Sequence, residues 1–130
     1  AKRMISESQL AVQQDPSNGA ALGILAGGYA LLGEKEKTRE WIDRALLVDP
    51  DNLNMRYNFA CVLSIMRDTD AALKMLRSAL APSGWGAYQV RIAETDTDFD
   101  NIRDDPRFQK MIADAKKQRG MDDAPATPVA

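Results

Sequence analysis

The pattern Ala11-x-x-x-Asp15-Pro16-x-Asn18 returns 34 residues later as Ala45-x-x-x-Asp49-Pro50-x-Asn52. That period suits one helix–turn–helix unit, and such units stack because a single one cannot bury its apolar side. Laying 17–50 over 51–84 aligns few identities: Asn18 with Asn52, Ala26 with Ala60, Ala45 with Ala79 and Leu46 with Leu80. Chemical similarity is better at packing positions, with Leu25 over Phe59, Tyr29 over Leu63 and Ile42 over Leu76. Small Ala at the crossing points lets paired helices approach to ~8–10 Å, and the larger side chains fill the grooves between them. An ordinary helical bundle with coincidental spacing is the competing reading.

Local signals place helices near 3–14, 19–32, 36–48, 53–67, 69–81, 86–94 and 106–119. Asp15-Pro16 and Asp49-Pro50 stop helices, because the residue before Pro avoids helical geometry. Gly33 suits a left-handed C-terminal cap, and Asp68 or Thr69 can cap the helix that follows. Pro106 fits a first helical turn after Asp104 and Asp105. From Met121 onward the chain has little to bury, so 120–130 is expected to be a disordered tail.

With 130 residues the chain fits one domain with a real core. A formal net charge of −2 with 28% charged residues gives no broad pull toward nucleic acid or anionic membrane. There is no histidine, which removes the commonest general base, the usual nucleophile pairs and most zinc sites. A single cysteine, Cys61, excludes an internal disulfide. The longest apolar run, 20–33, carries four glycines and falls short of the ~18–20 residues of a membrane span. The start, Ala1-Lys2-Arg3-Met4, is followed by no apolar signal segment, and the lack of an initiator Met suggests excision from a longer protein. The expected location is cytoplasmic.

The residues at the packing places give the chain its resemblance to the tetratricopeptide repeat family. The middle unit has Leu22, Leu25, Ala26, Tyr29, Ile42, Ala45 and Pro50 there, and the next has Phe59, Ala60, Leu63, Ala72, Leu76 and Ala79. Thr38, Arg56 and Gly84 depart from the family pattern. The resemblance implies an all-α, right-handed superhelical stack of hairpins spanning 1–119. It would comprise a partial repeat at 1–16, repeats at 17–50 and 51–84, and a capping segment at 85–119. The run Phe99-x-x-Ile102-Arg103-Asp104-Asp105-Pro106-Arg107-Phe108 is similar to the closing stretch after the last repeat in many bacterial proteins of this kind. Phe99, Ile102, Phe108, Met111 and Ile112 would then fold over the last hairpin, facing Trp85 and Tyr88.

Asp96-x-Asp98-x-Asp100 opens like a calcium loop, but Asn101 and Arg107 stand where Gly and the bidentate Glu are required. No metal is expected, and the segment reads as a solvated acidic linker with Asp residues capping the final helix. No carboxylate sits in an apolar stretch that would raise its pKa for acid catalysis, so no enzyme activity and no cofactor are expected. Cys61 lies among Phe59, Ala60 and Val62 with no His or basic cluster to activate it. Gly23, Gly27 and Gly28 match no phosphate loop. Gly23 and Gly27 serve either close helix packing or a smooth track for a ligand backbone.

By the resemblance, partners bind the concave face built from the first helix of each hairpin. This assigns Gly23 and Gly27, with Ala20, Ile24 and Leu31, in the middle unit. It assigns Asn54, Tyr57, Asn58 and Cys61, with Ile65, in the next, and Arg91 beyond. Only Asn58 matches the Lys/Asn clamp with which some members hold chaperone tails, so an extended or helical peptide is the better fit. The expected function is a protein-binding scaffold within a larger regulatory or signalling protein. The alternative is self-association as a homodimer, in a protein such as a nucleotide cyclase or transcription regulator. There Met4, Ile5, Leu10 and Val12 on the first helix would lie open. The bland reading of Asn54 and Asn58 is simple solvation.

Overall fold

The computed structural model describes residues 2–81 and 87–121. These are all-helical, with no strand among them. The helices are α1 Lys2–Gln14, α2 Gly19–Leu31, α3 Lys35–Val48, α4 Leu53–Ile65, α5 Thr69–Leu80, α6 Ala87–Thr95 and α7 Pro106–Gln118. A single 3-10 turn covers Thr97–Phe99. The expected helices differ from these by one or two residues at their ends. Pro82, Gly84, Trp85 and nearly all of the expected tail lie outside the described residues. No described helix is long and apolar enough to cross a membrane.

The sequence recurrence is a recurrence of local structure. Helices α2 and α4 begin at Gly19 and Leu53, and α3 and α5 at Lys35 and Thr69, each pair 34 residues apart. In both Asp-Pro-x-Asn turns the Asn N–H donates to the Asp carbonyl, at 3.1 Å for Asn18 and 3.3 Å for Asn52. Each Asn side chain then caps the next helix, accepting from Ala21 N–H at 3.1 Å and from Met55 N–H at 3.0 Å. These bonds satisfy N–H groups that a helix start leaves without partners.

The turns inside the hairpins also match. Gly33 has φ 75° and Arg67, 34 positions on, has φ 63°. Around both, the chain closes with the 6→1 bond of a Schellman cap, Glu34 N–H to Tyr29 O and Asp68 N–H to Leu63 O, each 3.0 Å. The first cap is legible in the sequence through its glycine, whereas the second is not, because an arginine there takes the left-handed conformation. One helical turn beyond each cap lies a fully buried small residue, Thr38 and Ala72. The Thr38 hydroxyl donates to Glu34 O at 2.8 Å, so the departure from Ala leaves no orphaned polar atom.

Two compact units, Ala1–Met55 and Arg56–Ala130, make up the chain, and the division falls within α4. In the first, Ile5, Leu25 and Tyr29 form the core with Val12 and Trp41 packed on it. A Cβ on Gly28 would lie 2.6 Å from Ile5 Cγ1, so this glycine lets α1 and α2 approach closely. Ile5 is therefore buried, contrary to the open position expected for it, while Leu10 remains 56% exposed.

In the second unit, Phe59, Leu63, Leu76, Val90, Phe99, Ile102 and Phe108 are buried. The stretch after α6 is tied to α4 and α5. Asn101 Nδ2 donates to Ser64 O at 3.0 Å, Arg107 pairs with Asp70 at 2.8 Å, and Arg119 Nη2 donates to Leu80 O at 3.0 Å. Tyr88, expected to face this closing stretch, is instead 78% exposed, and Phe99 packs edge-on against Tyr57 with ring centroids 5.4 Å apart. Between α6 and α7 the nearly buried Glu94 and Lys116 form an ion pair.

Candidate interaction surface

Helix α2 contains no charged residue in its 13 positions. An amphipathic helix would carry charge on its solvent side, so a helix with none has apolar groups to spare once its core face is packed. Ala21, Leu22, Leu25, Ala26, Gly28 and Tyr29 are buried. On the other side Ala20, Ile24, Gly27 and Leu31 follow at spacings of four, three and four, which line one helix face. Ile24 is 43% and Leu31 70% exposed. Gly23 and Gly27 are half-buried beside them.

The structure separates the roles of the α2 glycines. Gly28 is a packing glycine, because its Cβ would collide with Ile5. At Gly27 nothing among the described residues lies within 4 Å of where a Cβ would stand. A glycine in a helix interior costs about 1 kcal/mol relative to Ala, and no contact with a described residue requires it here. Spacing alone does not separate packing from a ligand track at Gly27, since it carries no information about what faces a residue.

The α4 positions divide in two. Asn54 and Asn58 are exposed, as is Ile65. Tyr57 and Cys61 are buried, with 7% and 6% of their surface exposed. Both direct their polar atoms at Asp96: Tyr57 OH donates to Oδ2 at 2.7 Å, and Cys61 Sγ lies 3.9 Å from the same oxygen. Asp96 Oδ1 accepts from Asp98 N–H at 3.0 Å and so caps the 3-10 turn. Arg91 on α6 is exposed.

This arrangement fixes the chemistry of Tyr57 and Cys61. Burial, reinforced by the hydrogen bond to Asp96, pushes the Tyr57 hydroxyl well above its ordinary range. Burial and the neighbouring carboxylates of Asp96 and Asp98 do the same to the Cys61 thiol. The thiol therefore stays protonated and is a poor nucleophile. Cys61 Sγ and carboxylate oxygens of Asp96 and Asp98 come within 4.8 Å of one another, yet both Asp96 oxygens already accept protein hydrogen bonds. The group acts as a tie holding residues 96–99 against α4.

The acidic segment is correspondingly less solvated than expected. Asp96 is half-buried in this tie, and Asp100 pairs with Arg103. The cap of α7 is Asp105, whose side chain accepts from Arg107 N–H at 2.9 Å. The Arg107 guanidinium also binds Asp105 and holds its carboxyl below the usual range.

Compared with family models, with curated proteins and with solved structures, the chain matches none.

Proposed function

We propose that this chain is a tetratricopeptide-type interaction module that holds a segment of a partner polypeptide along the exposed face of α2. The observation that carries the reading is Gly27: an open, helix-weakening glycine set between the exposed apolar side chains of Ile24 and Leu31. A partner backbone can come close at such a position, and Ile24 and Leu31 offer it apolar grip on either side. The matched turns of the two hairpins support the repeat reading. The reading assigns no catalysis, in keeping with the absence of histidine and a thiol held protonated. It places the module in the cytoplasm, within a larger regulatory protein.

The test is to select binders from a random peptide library displayed on phage, using the full chain, and to measure them against variants. Ile24→Asp and Gly27→Gln should each weaken the selected peptides by about tenfold or more, as expected for central interface positions. Binders that hold all α2 variants with unchanged affinity would refute the proposal. Self-association through α1 stands second. Its favouring observation is the exposure of Leu10, but Ile5 is buried and Met4 and Val12 are half-buried, which leaves little apolar area there. Light scattering on the chain and on Leu10→Lys distinguishes the two readings.

A further inference from the structure

Helices α5 and α7 run side by side in the same direction and are tied at both ends. Near their N-termini Arg107 Nη1 meets Asp70 Oδ1 at 2.8 Å, and near their C-termini Arg119 Nη2 donates to Leu80 O at 3.0 Å. Between the ties the helices do not fill the space, and a pocket of about 370 Å³ remains. Its floor is apolar, formed by the buried side chains of Leu80, Met111 and Ala115. Its rim is basic, carrying Arg77, Arg107 and Lys110 against the single carboxylate of Asp114. An apolar pocket of this size with a few polar groups at the edge is the usual form of a ligand site.

The rim charges are not equivalent. Arg107 is engaged by Asp70 and Asp105, and Lys110 by Asp114 at 2.9 Å. Arg77, exposed on α5, makes no ion pair or hydrogen bond with a described residue. One cation therefore remains to be matched beside an apolar floor. A phosphate backbone fits poorly, since Asp70, Asp105 and Asp114 would repel a run of negative charges. A single carboxylate next to an aliphatic side chain satisfies both parts of the pocket.

We propose that the α5–α7 pocket binds an acidic segment of a partner polypeptide, one carboxylate pairing with Arg77 and a neighbouring aliphatic side chain resting on Leu80, Met111 and Ala115. The site involves no residue of α2, so it stands or falls separately from the surface proposed above.

The experiment is a titration of the full 15N-labelled chain with acetyl-Glu-Leu-Leu-amide and, in parallel, acetyl-Gln-Leu-Leu-amide. The Glu peptide should shift amide signals of Arg77, Leu80, Met111 and Ala115 and bind about fourfold more tightly than the Gln peptide, the range of a partly exposed ion pair. Arg77→Gln should abolish that difference. Gln118 lies on the exposed rim, so Gln118→Glu should weaken and Gln118→Lys should strengthen the Glu peptide, with the fold checked by the unperturbed spectrum. Equal binding of the two peptides, shifts confined to α2, or no shifts at millimolar peptide would each overturn the proposal.

Discussion

Gly27 and Gly28 are adjacent, lie in the same helix, and should respond oppositely to the same substitution. In Gly28→Ala the new Cβ would stand 2.6 Å from Ile5 Cγ1 and 3.3 Å from Ile5 Cδ1. Carbon atoms rest at about 3.5–4.0 Å, so Ile5 and the α1 backbone carrying it must retreat by roughly 1 Å. Ile5 is buried in the first unit's core with Leu25 and Tyr29, and its Cγ1 is the root of the side chain rather than a free end. Overpacking of this kind costs about 1–3 kcal/mol, against about 1 kcal/mol gained from the better helix former. The net change runs from near zero to about 2 kcal/mol of destabilisation. In Gly27→Ala no described residue opposes the gain, so about 1 kcal/mol of stabilisation is expected. Urea unfolding followed by far-ultraviolet circular dichroism measures both. Ile5→Ala supplies the control: with Cγ1 removed, Gly28→Ala should become stabilising, a coupling that a double-mutant cycle reads directly. Equal effects of the two glycine substitutions, or no change of sign in the Ile5→Ala background, would refute the account of α1–α2 packing.

Arg67 occupies a left-handed cap that its equivalent fills with Gly33, so Arg67→Gly should stabilise the chain by about 0.5–1 kcal/mol in the same unfolding assay. Lys116→Met removes the cation from a nearly buried pair with Glu94 and should cost about 3 kcal/mol, while adding Glu94→Leu should restore most of it. The Cys61 thiol should react slowly with a disulfide reagent in the native chain and at the free-thiol rate in guanidinium, and Asp96→Asn should speed the native reaction. The folded chain keeps the Cys61 and Tyr57 protons that the unfolded chain releases near their ordinary values of 9.0 and 10.0. Their contribution to stability is accordingly complete below about pH 8 and falls as pH rises through 9 and 10, which unfolding curves across that range will test.

Much of the local structure was legible in the sequence because its signals are local. The Asp-Pro-x-Asn turns, the Gly33 cap and Pro106 act through bonds spanning a few residues, so the helices fell within one or two residues of their expected ends. Of the expected surface, Gly23, Gly27, Asn54, Asn58 and Arg91 are at least partly exposed, while Tyr57 and Cys61 are buried beneath Asp96. That difference was invisible beforehand, since Tyr57 and Asp96 are 39 positions apart and no local pattern links them. The Arg67 cap is not legible in the sequence because its side chain gives no turn signal, and only the Schellman bonds around it force its backbone.

By itself the sequence determined helical structure throughout the described residues, the places where those helices start and stop, and a 34-residue period shared by the hairpins. Tertiary structure alone decided which glycine packs and which stays open, which of two neighbouring α4 faces is covered, and where α5 and α7 leave a pocket. The physical reason lies in range. Caps and turns are settled by neighbours along the chain, whereas burial depends on distant side chains meeting with particular volumes, to which a single sequence gives no coordinates.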